Sequence, residues 1–155
     1  MSRLAIPVTR TILHNTGDVL LRAHVILALK DNAGNFTDRR FQIDSATDVT
    51  TVPAFTARQL GLPMPVNPSS IRHNPTGLEV RSGLLRFRID GMDQTEYVVS
   101  SYFLGDPNTA PNPAMPASFP RALLQPLALL DYLKFTMDKE PTSTALYGEV
   151  IIEKK

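Results

Sequence analysis

A short acidic turn is the part of this sequence that could carry chemistry. Asp44 follows an apolar segment and precedes Ser45 and Ala46, and this order predicts a tight turn at the end of a β-strand. No second turn of this kind occurs in the sequence. A single carboxylate can share a proton with a like partner only if another copy of the chain supplies one. Paired acid–base chemistry at this turn therefore requires two subunits.

Strands are predicted before the turn. Residues 4–13 form a first strand that Pro7 interrupts, because proline cannot donate to a strand ladder. Residues 19–30 have a period of two, which indicates one strand. Its apolar face carries Leu21, Ala23, Val25, Leu27 and Leu29. Residues 31–34 form a reverse turn, and residues 39–44 return as the second strand of a hairpin.

A short helix is predicted after the turn. Residues 49–52 are β-branched and form a short strand, and Pro53 suits the first turn of a helix. Gly61 is expected to end that helix. Residues 62–75 contain four prolines, so this segment is expected to be mostly irregular.

Further strands follow in the second half of the chain. Residues 78–80 and 84–89 predict two strands on either side of Gly83, and a turn at residues 90–91 leads to a strand over residues 96–104. With residues 49–52 before them, these make four strand-like segments in succession, which predict a meander of antiparallel strands.

The C-terminal third begins with a proline-rich segment, residues 105–120, which is expected to be an extended surface loop. Residues 122–133 are apolar, with Pro126 at a first helical turn and leucines at helical spacing. Strands are predicted over residues 134–138 and 145–153.

Composition narrows the class of protein. The length of 155 residues, 43% of them hydrophobic and 20% charged, is typical of one globular domain. A formal charge of +1 argues against a nucleic acid partner, and the absence of cysteine excludes disulfides and thiolate metal sites. His14, His24 and His73 lack metal-ligand spacing, so no metal site is predicted. Without a signal peptide or a membrane-spanning segment, a soluble cytoplasmic protein with no membrane partner is expected.

The order of these features resembles the retropepsin-like aspartic proteases, a single-lobed family that includes the retroviral proteases. Residues 43–48, IDSATD, are similar to the family's Asp-Thr/Ser-Gly-Ala-Asp turn. Residues 123–138 are similar to its apolar pair, glycine element, short helix and closing strand, and residues 72–82 lie where the family has its flap hairpin. Two positions depart from the pattern. Ala46 stands in place of a glycine, and Gln125 with Pro126 stands where the family has a glycine and usually an arginine.

The resemblance implies an all-β fold, a closed single-lobed acid-protease barrel with one or two short helices. It implies one domain over residues 1–155 with its core at about residues 20–138. The terminal segments, residues 4–13 and 146–152, would interleave at the interface of a homodimer.

The resemblance also implies an activity. Asp44 of each of two chains would share one proton and activate a water molecule to hydrolyse a peptide bond, with no cofactor and with a peptide or protein as substrate. The catalytic turn would be supported by Ser45, Ala46 and Thr47, the last placing its hydroxyl near the carboxylate. Substrate binding would involve Asp48, Arg72, His73 and Gly77, with Gly77 and Gly83 as hinges of the flap.

Two other interpretations remain open at this point. A retropepsin-like module could keep the cleft and bind or scaffold peptides without turnover, which the departures at Ala46 and Gln125 suggest. Alternatively, an unrelated β-barrel could use Asp44 only to cap a turn, since aspartate often hydrogen-bonds its own backbone there.

Overall fold

The computed structural model describes residues 2–111 and 121–155. Its strands in this part of the chain are, in order, β1 (Arg3–Pro7), β2 (Thr9–Ile12), β3 (Val19–Arg22), β4 (His24–Lys30), β5 (Phe36–Ile43), β6 (Thr50–Pro53), β7 (Arg72–His73), β8 (Glu79–Ile89), β9 (Tyr97–Leu104), β10 (Leu123–Leu124), β11 (Leu133–Asp138) and β12 (Glu149–Lys154). One α-helix, α1 (Ala54–Gln59), and two 3₁₀ helices, Pro68–Ser70 and Pro126–Leu129, complete this part of the chain. None of the described helices is long and apolar enough to cross a membrane.

Six strands close into a barrel in the order β4-β5-β10-β6-β9-β8, and β8 pairs back onto β4. The pairs β10–β5 and β6–β9 are parallel, whereas β4–β5 and β8–β9 are antiparallel hairpins. The predicted antiparallel meander is wrong at β6, which pairs in parallel with β9, whereas β8 and β9 are antiparallel neighbours as predicted. The predicted all-β closed barrel with a short helix is confirmed.

The barrel interior is filled by alternate side chains of its strands. On β4, Val25, Leu27 and Leu29 are buried while their neighbours are only partly covered, as the period of two predicts. Large aromatic side chains from three other strands fill the centre, namely Phe41, Phe87 and Phe103. Burying each such side chain contributes about 1.5–3 kcal/mol to the stability of the barrel that carries the acidic turn.

The strand predicted over residues 19–30 is two strands in different sheets. β3 pairs with β2 in a separate ribbon, and β4 belongs to the barrel. Between them, the carbonyl of Ala23 accepts a hydrogen bond from Ile43 N–H at 2.9 Å, which takes this backbone out of the ribbon. Leu21, expected on the core face, is consequently 57% exposed.

The chain termini form a three-stranded sheet, β1-β12-β11, within one chain. Leu4 lies opposite Ile152 on one side of β12, and Phe135 lies opposite the same residue on the other. The strand predicted from residue 145 begins only at Glu149, because Gly148 has a φ of +90° and ends a turn there. Both edges of β12 are used, so exchanging terminal strands between two chains would first require breaking this sheet.

Other elements agree in part with the prediction from the sequence. α1 begins after Pro53 and the chain turns at Gly61, as predicted. The helix predicted from Pro126 to Leu133 is reduced to the 3₁₀ helix Pro126–Leu129, and Leu133 already starts β11. The two strands predicted around Gly83 are one continuous strand, β8. Most of the predicted proline-rich loop lies outside the described residues.

Candidate active site

Asp44 lies directly after β5, where three parts of the chain meet. Its backbone N–H donates to the carbonyl of Leu124 at 3.0 Å, and the preceding N–H, that of Ile43, donates to Ala23. These bonds fix the start of the turn on both sides. Asp44 is half-buried, whereas Ser45 and Ala46 are exposed, so the turn lies at the protein surface on a rigid base.

The distant segment β10 lies beside this turn. Leu123 is opposite Gln42 in a parallel pairing and opposite Thr51 in an antiparallel pairing, and Leu124 is opposite Ile43. The two stretches that carry the sequence resemblance are therefore neighbours in space, joined by the backbone of a two-residue strand.

Within the turn, the N–H of Ala46 donates to Asp44 Oδ1 at 2.9 Å. Ala46 does not adopt a positive φ, so an alanine is accommodated where glycine was expected, without left-handed strain. This bond holds one oxygen of the Asp44 carboxyl and limits the rotation of the side chain.

Thr47 and Asp48 complete the turn. The Thr47 hydroxyl donates to the carbonyl of Val49 at 2.9 Å, so its single proton is used on the backbone and not on Asp44 as expected. Asp48 is exposed beyond it. The structure thus brings the predicted residues of this segment, from Asp44 to Asp48, together in one turn.

Gln125 is a site residue whose role the sequence did not reveal. Its side chain is buried, with 4% of the residue exposed. Its Nε2 donates to the carbonyl of Ser45 at 3.3 Å and also to the carbonyl of Thr47. Its Oε1 accepts from Leu127 N–H at 2.9 Å, at the start of the 3₁₀ helix. In the sequence, the only signal was a polar side chain directly before a proline that begins a helix.

Two buried hydroxyl groups connect Gln125 to the barrel by hydrogen bonds. Thr50 is fully buried, and its Oγ1 accepts from the backbone N–H of Gln125 at 3.0 Å. Ser101 donates its hydroxyl to the carbonyl of Thr50 at 3.0 Å. The acidic turn is therefore connected by polar groups to β6 and β9, which are walls of the barrel.

A hairpin formed by β7 and the start of β8 lies where the flap was predicted. Arg72 lies opposite Val80, and His73 lies opposite Glu79. The intervening turn is fixed by Asn74, whose Oδ1 accepts from the N–H groups of Thr76 at 3.1 Å and Leu78 at 2.9 Å. The predicted substrate-binding residues are thus divided between two turns, with Asp48 in the acidic turn and the others in this hairpin.

The two glycines proposed as hinges have different surroundings. Gly77 has a φ of +85° in the hairpin turn, a conformation that favours glycine. Gly83 lies inside β8, where a Cβ would stand 2.4 Å from the ring of Phe103. Close packing against Phe103 therefore accounts for a glycine at position 83.

A mostly apolar cavity of about 610 Å³ adjoins the acidic turn. It lies between β3, the turn and the terminal sheet. Its lining includes Leu21, Ile43, Ser45, Met137 and Tyr147. This surface offers apolar area beside the half-buried carboxylate.

Comparison with known proteins completes the description. No protein-family profile and no curated protein sequence matches the chain. Among solved structures, the crystal structure of a retropepsin-like aspartic protease from Rickettsia conorii is similar over 97% of this chain and 89% of that chain, with a TM-score of 0.53 and 11% sequence identity. At this identity the likeness concerns the fold. The chain has a retropepsin-like fold.

Proposed function

We propose that this protein is an aspartic endopeptidase that acts as a homodimer. The observation that carries the proposal is the position of Asp44, in a surface turn at the end of β5 whose backbone is bonded to β10 in a retropepsin-like barrel. Its carboxylate is partly shielded from water and has a backbone donor.

In the proposed reaction, the two copies of Asp44 approach across a two-fold axis and share one proton, because two close carboxylates resist ionising together. The ionised member takes a proton from a water molecule as the water oxygen attacks the amide carbonyl carbon. The protonated member hydrogen-bonds the carbonyl oxygen and then gives its proton to the leaving nitrogen as the C–N bond breaks. Both carboxyls end with one proton between them, so the cycle closes.

The face around the cavity supports the proposed dimer. Leu21 is 57% exposed and Met137 is 67% exposed, and both line the cavity next to Ser45. Covering such side chains is favourable, and a two-fold arrangement buries the same patch on both copies. Arg22 and Asp138 also line it, so the basic side chain of one copy can face the acidic side chain of the other.

The proposed substrate is an extended peptide that lies between the acidic turn and the hairpin of β7 and β8. Backbone amides of such a peptide need acceptors, which the exposed carboxylate of Asp48 supplies. The exposed side chains of Arg72 and His73 lie on the hairpin, where they would contact substrate side chains.

Cleavage of a mixed peptide library, followed by mass spectrometry, tests the activity. Asp44→Asn keeps the size of the side chain and removes the ionisable group, so cleavage should fall at least about a thousandfold. Asp90→Asn, in an exposed hairpin turn, is the matched control and should cleave like the natural chain. Cleavage by the Asp44 variant would refute the mechanism, and peptide binding without cleavage by the natural chain would identify a binding module instead.

The mass in solution tests the assembly separately. Leu21→Glu places a charge on the proposed interface and should yield inactive monomers. Leu84→Glu is a matched control, since Leu84 is similarly exposed at 56% on β8, away from the cavity. A dimer that survives the first change and not the second would place the interface elsewhere.

A further inference from the structure

We propose that Gln125 is a positioning residue, which orients the N–H of Ala46 toward the Asp44 carboxylate by holding the carbonyl of Ser45. Only the effect on turnover rests on the proposed function. The orientation itself is a property of the folded chain.

The argument begins with one peptide unit. The carbonyl of Ser45 and the N–H of Ala46 belong to the same planar trans peptide, so they point in opposite directions. The carbonyl accepts from Gln125 Nε2 at 3.3 Å, and the N–H donates to Asp44 Oδ1 at 2.9 Å. Rotating this peptide would break both bonds together. The amide of Gln125 and the carboxylate of Asp44 are thus coupled through a single rigid group.

The orientation of the Gln125 amide is set by its partners. Its nitrogen end faces two carbonyls, those of Ser45 and Thr47, which can only accept. Its oxygen end faces the N–H of Leu127, which can only donate. Reversing the amide would set acceptor against acceptor and donor against donor. Since the residue is buried, water cannot replace the lost partners at low cost.

This arrangement connects the two departures from the retropepsin-like pattern. A glycine at position 125 would have no side chain to reach the turn, whereas Gln125 supplies two donors to it. Ala46 has less backbone freedom than a glycine, so its peptide has fewer alternative orientations. Together they hold the 45–46 peptide in the orientation that serves Asp44.

Proton exchange in the natural chain gives a first test, which needs no variant and no substrate. By NMR, the side-chain NH₂ protons of Gln125 should exchange at least about tenfold more slowly than those of Gln59, which is exposed on α1. Equal exchange of the two side chains would overturn the proposal.

A matched pair of substitutions gives the second test. Gln125→Met keeps the length of the side chain and removes its hydrogen bonds, and Gln59→Met is the control. Loss of these hydrogen bonds should speed exchange of the Ala46 amide by about tenfold or more and shift its proton resonance upfield. The amides of Leu27 and Phe103, in the barrel, should change less than about twofold.

Turnover gives the third readout. If the endopeptidase proposal holds, Gln125→Met should lower kcat by about tenfold while KM changes less than about twofold, because the substrate-binding groups are untouched. An unchanged Ala46 amide in the Gln125 variant would refute the positioning role whatever the activity. A shifted amide in a protein without peptidase activity would refute the proposed function and leave the positioning role standing.

Discussion

Two turns of this protein begin in the same way and are supported differently. In the acidic turn, Asp44 Oδ1 accepts from the N–H two residues later, and in the hairpin turn, Asn74 Oδ1 does the same. Asn74 also accepts from the hydroxyl of Thr76 at 2.7 Å and from Leu78 N–H. The hairpin turn is stabilised by its own residues.

The acidic turn is stabilised instead by remote groups. Its backbone is held by the carbonyl of Leu124 and the amide of Gln125, about eighty positions away in sequence. A side chain whose oxygen is saturated by local donors has little capacity left for other partners. The proposed mechanism requires the Asp44 carboxylate to exchange protons, which support through the surrounding backbone permits.

Removing one supporting hydroxyl from each turn should give the largest difference in the free energy of unfolding. Thr50→Val leaves the buried N–H of Gln125 without an acceptor and should lower the free energy of unfolding by about 1–3 kcal/mol. Thr76→Val removes a hydroxyl from an exposed turn and should cost less than about 0.5 kcal/mol. Urea denaturation of both variants measures the difference. Equal losses of unfolding free energy in the two variants would mean that the Thr50 hydroxyl does not stabilise the acidic turn.

Replacing Gly77 in the hairpin turn and Ala46 in the acidic turn should have intermediate effects on the free energy of unfolding. Gly77→Ala forces a Cβ into a positive φ and should cost about 1–2 kcal/mol. Ala46→Gly only increases the freedom of the unfolded chain, at about 0.4–1 kcal/mol. Thermal unfolding of the pair tests this order, and a larger cost at Ala46 would contradict the backbone conformation described for the acidic turn.

The pH dependence of stability should show the smallest effect, at the strand next to the acidic turn. Burial, Arg40 and Arg22 lower the pKa of His24 below its ordinary value of 6.5. The unfolded chain then binds the proton more tightly, so stability is full above pH 6.5 and declines as the pH falls below it. Denaturation midpoints of the natural chain and His24→Gln should diverge below that pH. Parallel curves would exclude His24 as a source of the decline.

The sequence predicted those parts of the fold that depend on neighbouring residues. The alternation along β4, the glycine after α1 and the acidic turn are local patterns. It did not predict the break at Ala23, because a backbone bond to Ile43 outweighs an unbroken period of two. β10 has two residues, too few for any periodicity, and its pairing with β5 and β6 is entirely tertiary.

The candidate site was predictable to a similar degree. The acid and its flanking residues follow from turn chemistry and from order along the chain. The role of Gln125 could not be predicted, because it depends on three hydrogen-bond partners. Two of them, the carbonyls of Ser45 and Thr47, lie about eighty positions earlier in the sequence. A buried amide has no sequence signature that separates it from an exposed one.

Mixing subunits tests whether one active centre needs Asp44 from two chains. The natural chain and an equal amount of Asp44→Asn are allowed to exchange subunits, and peptidase activity per natural chain is measured. If mixed dimers are inactive, random pairing leaves about half of the activity per natural chain, and a large excess of the variant abolishes it. Activity per natural chain that is unchanged at every ratio would show that each subunit works alone and would contradict the account.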